Sequence, residues 1–263
     1  MPIKRLTRTA KANPDLALTL AGLLLLALAL PLAASDYGAD YGADHGTDHS
    51  TGDWTDACIT GPPAGLAAPA PRNTLVLIID DLGHQWRNGM AMVDLPGKLN
   101  LAILPHTPHA SRLAEAGFAN GKEIMLHAPM SNEGGMPLGQ GGLTPAMPRE
   151  EFDQALATAL DAVPHVRGVN NHMGSELTQL PLQMGWLMQT LLRRNLYFVD
   201  SRTTAKTVAA TTASAYRVPN LSRTVFLDNE RTPESIGAHF DRLTALAEKN
   251  TVAVGIGHLS LIH

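Results

Sequence analysis

The sequence predicts an α/β protein with parallel strands, on two observations. From Asn73 onward, short apolar runs alternate with helical patterns, the layout of successive βαβ units. Where several of those runs end, residues capable of chemistry begin: Asp80-Asp81, His127, Asn170-Asn171-His172, Asp200-Ser201-Arg202 and His258. In parallel α/β folds the C-terminal strand ends are where sites are built.

The strands are expected over residues 74–80, 100–104, 123–127, 166–170, 196–200, 224–228 and 251–256. Most are rich in Val, Ile, Leu and Phe, as strands buried on both faces must be. Helices are expected between them. Residues 108–119 carry Leu113, Ala116 and Ala119. Residues 148–162 open with Pro148 at a first-turn position and Glu150-Glu151 near the positive end of the dipole. Phe152, Leu156, Ala159 and Leu160 then form an apolar stripe. Residues 179–194 bring Leu180, Met184, Leu187, Met188 and Leu191 to one face and end in basic residues followed by Asn195. Residues 204–215 and 233–249 complete the set. Seven strands fit a barrel or an open doubly wound sheet, and periodicity does not choose between them.

The first 72 residues differ in character. Lys4, Arg5, Arg8 and Lys11 precede nineteen uncharged residues, 16–34, rich in Leu and Ala. A basic run followed by an apolar run of nearly bilayer-spanning length predicts a signal peptide or N-terminal membrane anchor over 1–35. The remainder is then expected outside the cytoplasm, in the periplasm or held at the inner membrane. Residues 36–72 are expected to be a disordered linker: an Asp-Tyr-Gly-Ala repeat with six Asp and no Lys or Arg between Asp36 and Asp56, then a stretch dominated by Ala, Pro and Gly. Cys58 is the only cysteine, which excludes a disulfide within the chain. A net charge of -4 leaves no basic footprint for nucleic acid. The folded domain is expected over 73–263.

Carboxylates and imidazoles at successive strand ends suit a metal-dependent hydrolase. One carboxylate and two neutral imidazoles can hold zinc while leaving a position for water. Asp80 and Asp81 are adjacent, and side chains alternate along a strand, so the two cannot take the same role. Either could instead cap the following helix. Arg202 is expected to pair with Asp200 or to orient an acidic catalytic group. Asn170 and Asn171 are candidate hydrogen-bond donors to a sugar or an oxyanion, and Ser175 and Ser201 are candidate substrate contacts. Trp86 and Trp186 are weighed as sugar-stacking or packing residues. No glycine-rich loop follows the first strand, which argues against a phosphate or nucleotide enzyme.

The strings IIDDLG, LAILP, EIMLHAPM, GVNNHMGS, YFVDSRTT, VFLDNE and AVGIGH occur in that order between about Asn73 and His258. In these the chain resembles the divergent polysaccharide deacetylases, a distant branch of the metal-dependent sugar N-deacetylases. The resemblance implies a distorted barrel of about seven strands. It implies a divalent metal, expected to be zinc, on Asp81, His127 and His172, with Asp80 as general base and His258 as the acid that protonates the leaving amine. Asp200 and Arg202 are expected to tune Asp80. Conventional relatives take both histidines from one H-x-x-x-H motif. That motif is absent here, where Met130 and Ser131 stand near the second position, and His172 restores the count. The implied activity is removal of N-acetyl groups from an envelope polysaccharide. The alternative is a carbohydrate-binding or envelope-organising protein that keeps the metal site structurally. The family continues past a Gly-His-Pro turn into a last helix, whereas Leu259 to His263 stand here. A truncated C-terminus is therefore expected, with no helix covering the last strand.

Overall fold

A computed structural model of the chain describes residues 73–259. The segment 1–35 expected to be a signal peptide or anchor, the expected linker over 36–72 with Cys58, and residues 260–263 lie outside the described residues. Among the described residues no helix is long and apolar enough to cross a membrane.

The elements are β1 (Thr74–Leu82), α1 (Trp86–Val93), β2 (Asn100–Ile103), α2 (Ala110–Ala119), β3 (Glu123–Met130), α3 (Arg149–Asp161), β4 (Val166–Met173), α4 (Pro181–Arg193), β5 (Tyr197–Asp200), α5 (Ala209–Ala215), β6 (Asn220–Ser222), β7 (Val225–Phe226), α6 (Pro233–Asn250) and β8 (Val252–His258). All strand pairs are parallel, in the order β6-β5-β4-β3-β2-β1-β8-β7. The two edge strands are separated by Arg223 and Thr224 alone. The Arg223 amide donates to Asp200 O on β5, and the Thr224 amide donates to Val254 O on β8. One bent segment thus leaves the β5 edge and joins the β8 edge, and this seam gives the sheet its barrel-like form. The run expected over 224–228 is the second half of that segment; β6 lacks the apolar pattern that would announce it.

The pleat sorts side chains into layers. Val76 and Ile78 of β1, Ala102, Met125, Tyr197 and Val199, and Val254 and Ile256 of β8 fill the barrel interior. The alternate residues face the helices: Leu101, Ile103, Ile124, Leu126, Val169 and Phe198 pack with Leu113, Phe152, Leu156, Leu187 and Leu191. Gly168 makes the interior possible on β4, since a Cβ there would lie 2.1 Å from the Tyr197 ring. The strand expected to lack a cover is covered by the helix before it: Leu243 of α6 packs with Leu75 and Ala253 and reaches over Gly255.

Two helices depart from expectation. α1 has only two turns and no side-chain cap, so its pattern is too short to read. The helix expected over 204–215 begins at Ala209, because the Thr207 hydroxyl donates to Asp200 Oδ2 and accepts from the Ala209 amide. Such local hydroxyl bonds favour a turn over a helix.

Candidate active site

The inward parity that fills the barrel continues past its apolar core. After Val76 and Ile78 comes Asp80; after Met125 comes His127; after Gly168 come Asn170 and His172; after Val254 and Ile256 comes His258. Asp80 and His258 are direct neighbours in the β1–β8 ladder, as are His127 and Asn170 in β3–β4. These side chains therefore share one mouth at the C-terminal end of the barrel.

Asp81 should point outward by the same parity, but it does not. The β1–β2 register shifts between Ile79 and Leu82, and Asp81 takes φ 64°. A bulge with a left-handed residue re-aims a side chain, and aspartate tolerates that conformation better than most. Neither aspartate caps α1, whose N-cap is Gln85. Met173 (φ 54°) and Arg202 (φ 49°) are left-handed at the ends of β4 and β5 too, so unusual backbone gathers around the mouth.

Asp81, His127 and His172 each offer a ligand atom, and these atoms lie within 4.8 Å of one another. His127 Nε2 is 3.3 Å and His172 Nδ1 is 3.0 Å from Asp81 Oδ1, and the two nitrogens are 3.1 Å apart. Asp81 Oδ1 is buried yet has no well-formed hydrogen bond. A buried carboxylate oxygen without a donor, faced by two imidazole nitrogens, fits a divalent cation. Asn170 sets the tautomer. Its Nδ2 donates to Asp80 Oδ1 at 2.8 Å, so its Oδ1 is left to accept from His127 Nδ1 at 2.8 Å. His127 Nε2 then keeps its lone pair toward Asp81, the orientation that an outer amide commonly imposes on a ligating histidine.

The electrostatics agree with this arrangement. Burial drives the Asp80 carboxyl up, against the pull of His127, Asn170 and His258, and the net direction is up. Burial also works to raise Asp81, but His127 and His172 outweigh it and hold its carboxyl far below the usual range. Burial disfavours the charged His127 imidazole, yet Asp80 and Asp81 bring it up overall. The mouth thus favours positive charge beside two neighbouring aspartates of opposite tendency.

His258 completes the site from the seam side. Its Nδ1 is 3.0 Å from both Asp228 oxygens, and its amide donates to Asp228 Oδ2 at 3.1 Å. Burial opposes the charged imidazole, but the hydrogen bond and charge of Asp228 raise it. Asp228 was missing from the expected site, although it follows the apolar run 225–227 as the other strand-end acids follow theirs.

The remaining expected residues divide by parity. Ser201 faces inward and its hydroxyl accepts from Asn170 Nδ2 at 3.4 Å. Asn171 faces the other way: its Oδ1 accepts from the Ser201 amide, and its Nδ2 donates to Met173 O. Asp200 also faces outward, where its oxygens accept from the Arg202 amide and the Thr207 hydroxyl. The expected Arg202–Asp200 pairing is thus made by the Arg202 backbone, and among the described residues neither makes a bond to Asp80. Ser175 accepts from the Glu133 amide. A cleft of about 320 Å³ above the site is lined by Asp80, His127, Asn171, His172, Ser175, Ser201 and His258, with Asn132, Met136 and Phe226 among its further walls. Trp86 packs against His109 and Arg112, and Trp186 against Phe152 and Arg149, both outside this cleft.

The sequence profile of the divergent polysaccharide deacetylases matches residues 77–261. The uncharacterized protein YibQ of Escherichia coli (strain K12) is 35% identical over 193 residues, 73% of this chain and 60% of YibQ. An uncharacterized protein of Haemophilus influenzae is 32% identical over 187 residues, 71% of this chain and 67% of that protein. The chain therefore spans less than two thirds of YibQ. The crystal structure of the uncharacterized protein ATU2773 from Agrobacterium tumefaciens C58 shares the fold at a TM-score of 0.70 and 22% identity, over 75% of this chain and 83% of that one. With its barrel-like sheet, its ordered strand-end motifs and these relatives, the chain belongs to the divergent polysaccharide deacetylase family.

Proposed function

We propose that the protein is a metal-dependent hydrolase that removes N-acetyl groups from an envelope polysaccharide. One observation carries this reading: the Asp81–His127–His172 cluster shares one mouth with a buried carboxylate, Asp80, and a carboxylate-braced imidazole, His258. That is the equipment for splitting an amide with water: a metal site, a base and an acid in one cleft.

Asp81, His127 and His172 would hold the ion, and this donor set suits zinc. When bound, the ion would supply Lewis-acid polarisation and ease the ionisation of water. Asn170 occupies Asp80 Oδ1, so Oδ2 remains to take a proton from the attacking water. Asp228 occupies His258 Nδ1, so Nε2 remains to give a proton to the departing nitrogen. The carbonyl–nitrogen bond breaks, the water oxygen stays on the acyl carbon, and the products are acetate and a free amine. Asn171, Ser175 and Ser201 line the cleft where a sugar would lie. The basic-then-apolar start of the chain supports export, with the domain in the periplasm or tethered to the inner membrane.

The test is acetate release by the full chain from N-acetylated oligosaccharides, after chelation and after zinc is restored. Release that disappears and returns with the metal supports the reading. Metal-loaded protein that binds the oligosaccharide without releasing acetate sinks it and favours the binding-protein alternative. Protease treatment of intact and permeabilised cells tests the location: a domain cleaved only after permeabilisation of the inner membrane refutes export.

A further inference from the structure

His258 ends a strand that is paired along its length with β1 on one side but only briefly with β7 on the other. β7 is two residues long and meets β8 only at Val225–Gly255 and Phe226–Ile256. Asp228 grips one edge of the imidazole, which fixes the tautomer but leaves the plane of the ring free to tilt about that bond. A second contact supplies the missing restraint. The Phe226 ring lies beside the His258 ring, with centroids 5.8 Å apart and planes 30° apart.

Phe226 is itself held by Arg223. The Arg223 guanidinium stands 3.7 Å from the Phe226 centroid, close enough for a cation–π contact. Its direction is set by two carbonyls at the end of β5: Nε donates to Ser201 O at 2.7 Å and Nη2 to Arg202 O at 3.0 Å. The planar fork of arginine makes such a two-carbonyl grip directional, which a lysine could not reproduce. Arg223 also begins the seam, where its amide bonds Asp200 O. One side chain therefore links the loop carrying Ser201, which contacts Asn170 of the base side, to the aromatic ring that flanks the acid.

We infer that Arg223 is a positioning residue for His258, acting through the ring of Phe226 across the seam of the barrel. Its role as a positioner of a catalytic acid rests on the proposed hydrolase reading. Its role as the support of the His258 ring does not.

The experiment compares full-length wild type with R223A and F226L in two arms. The kinetic arm measures turnover of an N-acetylated oligosaccharide and of an aryl acetate, whose leaving group departs without needing a proton. Misplacing an acid costs the amide reaction selectively, so the ester-to-amide turnover ratio should rise by about 100-fold in R223A. An equal fall in both reactions would show a merely structural lesion and overturn the inference. The second arm records the imidazole NMR signals, with that of His258 identified by its loss in H258Q. In the wild type this signal should carry the ring-current displacement of Phe226, and in R223A and F226L it should move toward the free-imidazole position. An unchanged His258 signal in R223A overturns the inference even if no substrate is ever turned over. If R223A does not fold, R223K, which keeps the charge but not the two-carbonyl grip, decides by the same two readouts. If wild type cleaves no amide, the hydrolase reading fails, and the NMR arm still decides the support of the ring.

Discussion

The two sides of the mouth are built differently. The ligand side stands on β1, β3 and β4, strands of eight or nine residues in the middle of the sheet. There each side chain holds the next: Asp80 to Asn170, Asn170 to His127, His127 beside Asp81 and His172. The acid side stands on β8 and the two-residue β7 at the seam, where His258 leans on Asp228 and Phe226. The difference teaches where precision comes from. In the middle of the sheet the ladder itself sets the geometry, and one amide finishes it. At the seam the β7–β8 ladder is short, so side chains add there to the seven-residue ladder that joins β8 to β1.

Breaking the ligand side should have the largest effect. His127→Ala or Asp81→Ala should cut metal affinity by more than the roughly 100-fold that loss of an outer partner can cost, with acetate release falling to background. Metal analysis after dialysis checks this; full occupancy in either variant would remove that residue from the ligand set. Asp80→Asn should separate the roles of the two adjacent aspartates. It should keep the metal but slow turnover by roughly 100-fold or more. Lost metal would mean that Asp80 and Asp81 had exchanged roles.

The acid side should respond more gently and through pH. Asp228→Asn should leave metal content unchanged and slow amide cleavage roughly 10- to 100-fold. Because Asp228 raises the His258 imidazole, its removal should shift the basic limb of the kcat/KM profile to lower pH. The same pair makes stability depend on pH. Burial works to raise the Asp228 carboxyl, but the His258 hydrogen bond and charge lower it below its unfolded value. Its contribution is therefore present above the unfolded carboxylate pKa and lost as pH falls through the lowered one. The His258 contribution is present below its unfolded pKa and lost as pH rises through the raised one. The pair should stabilise most between those limits, and Asp228→Asn should remove its share of the fall in melting temperature on either side of that window. A profile as steep as wild type would show that the pair is not coupled.

The smallest catalytic effect is expected at Asp200. Its oxygens brace the turn through the Arg202 amide and the Thr207 hydroxyl. Asp200→Ala should cost about 1–3 kcal/mol of stability for these buried bonds and change turnover less than either Asp80→Asn or Asp228→Asn. A loss of turnover as deep as that of Asp80→Asn, without unfolding, would restore Asp200 to the catalytic set that the sequence suggested.

What was legible in the sequence was whatever depends on local pattern. Apolar runs and amphipathic stretches announced seven of the strand positions and most helices, because burial on two faces or one stripe leaves a periodic mark. The strand-end acids and histidines stood out because nothing apolar needs them. The runs nevertheless ended too early. Expected strands stopping at residues 80, 127 and 170 continue to Leu82, Met130 and Met173. At the mouth the inward side chains turn polar while the backbone ladder goes on, so hydrophobicity marks the end of the core and not the end of the strand.

The tertiary structure alone decided the rest. Sequence parity placed Asp80 and Asp81 on opposite faces; only the bulge and a left-handed backbone brought both to one mouth. Asn170 and Asn171 are indistinguishable as neighbours in sequence, yet the pleat gives one to the Asp80–His127 contact and the other to the turn at the cleft wall. The sheet's choice of a barrel-like form came from a segment whose two halves pair with strands far apart in the chain. Asp228 became a candidate site residue only when that segment carried it beside His258. Local pattern reports what a residue must avoid, which is water or the core. Which residues meet is set by register, twist and closure, and these belong to the whole sheet.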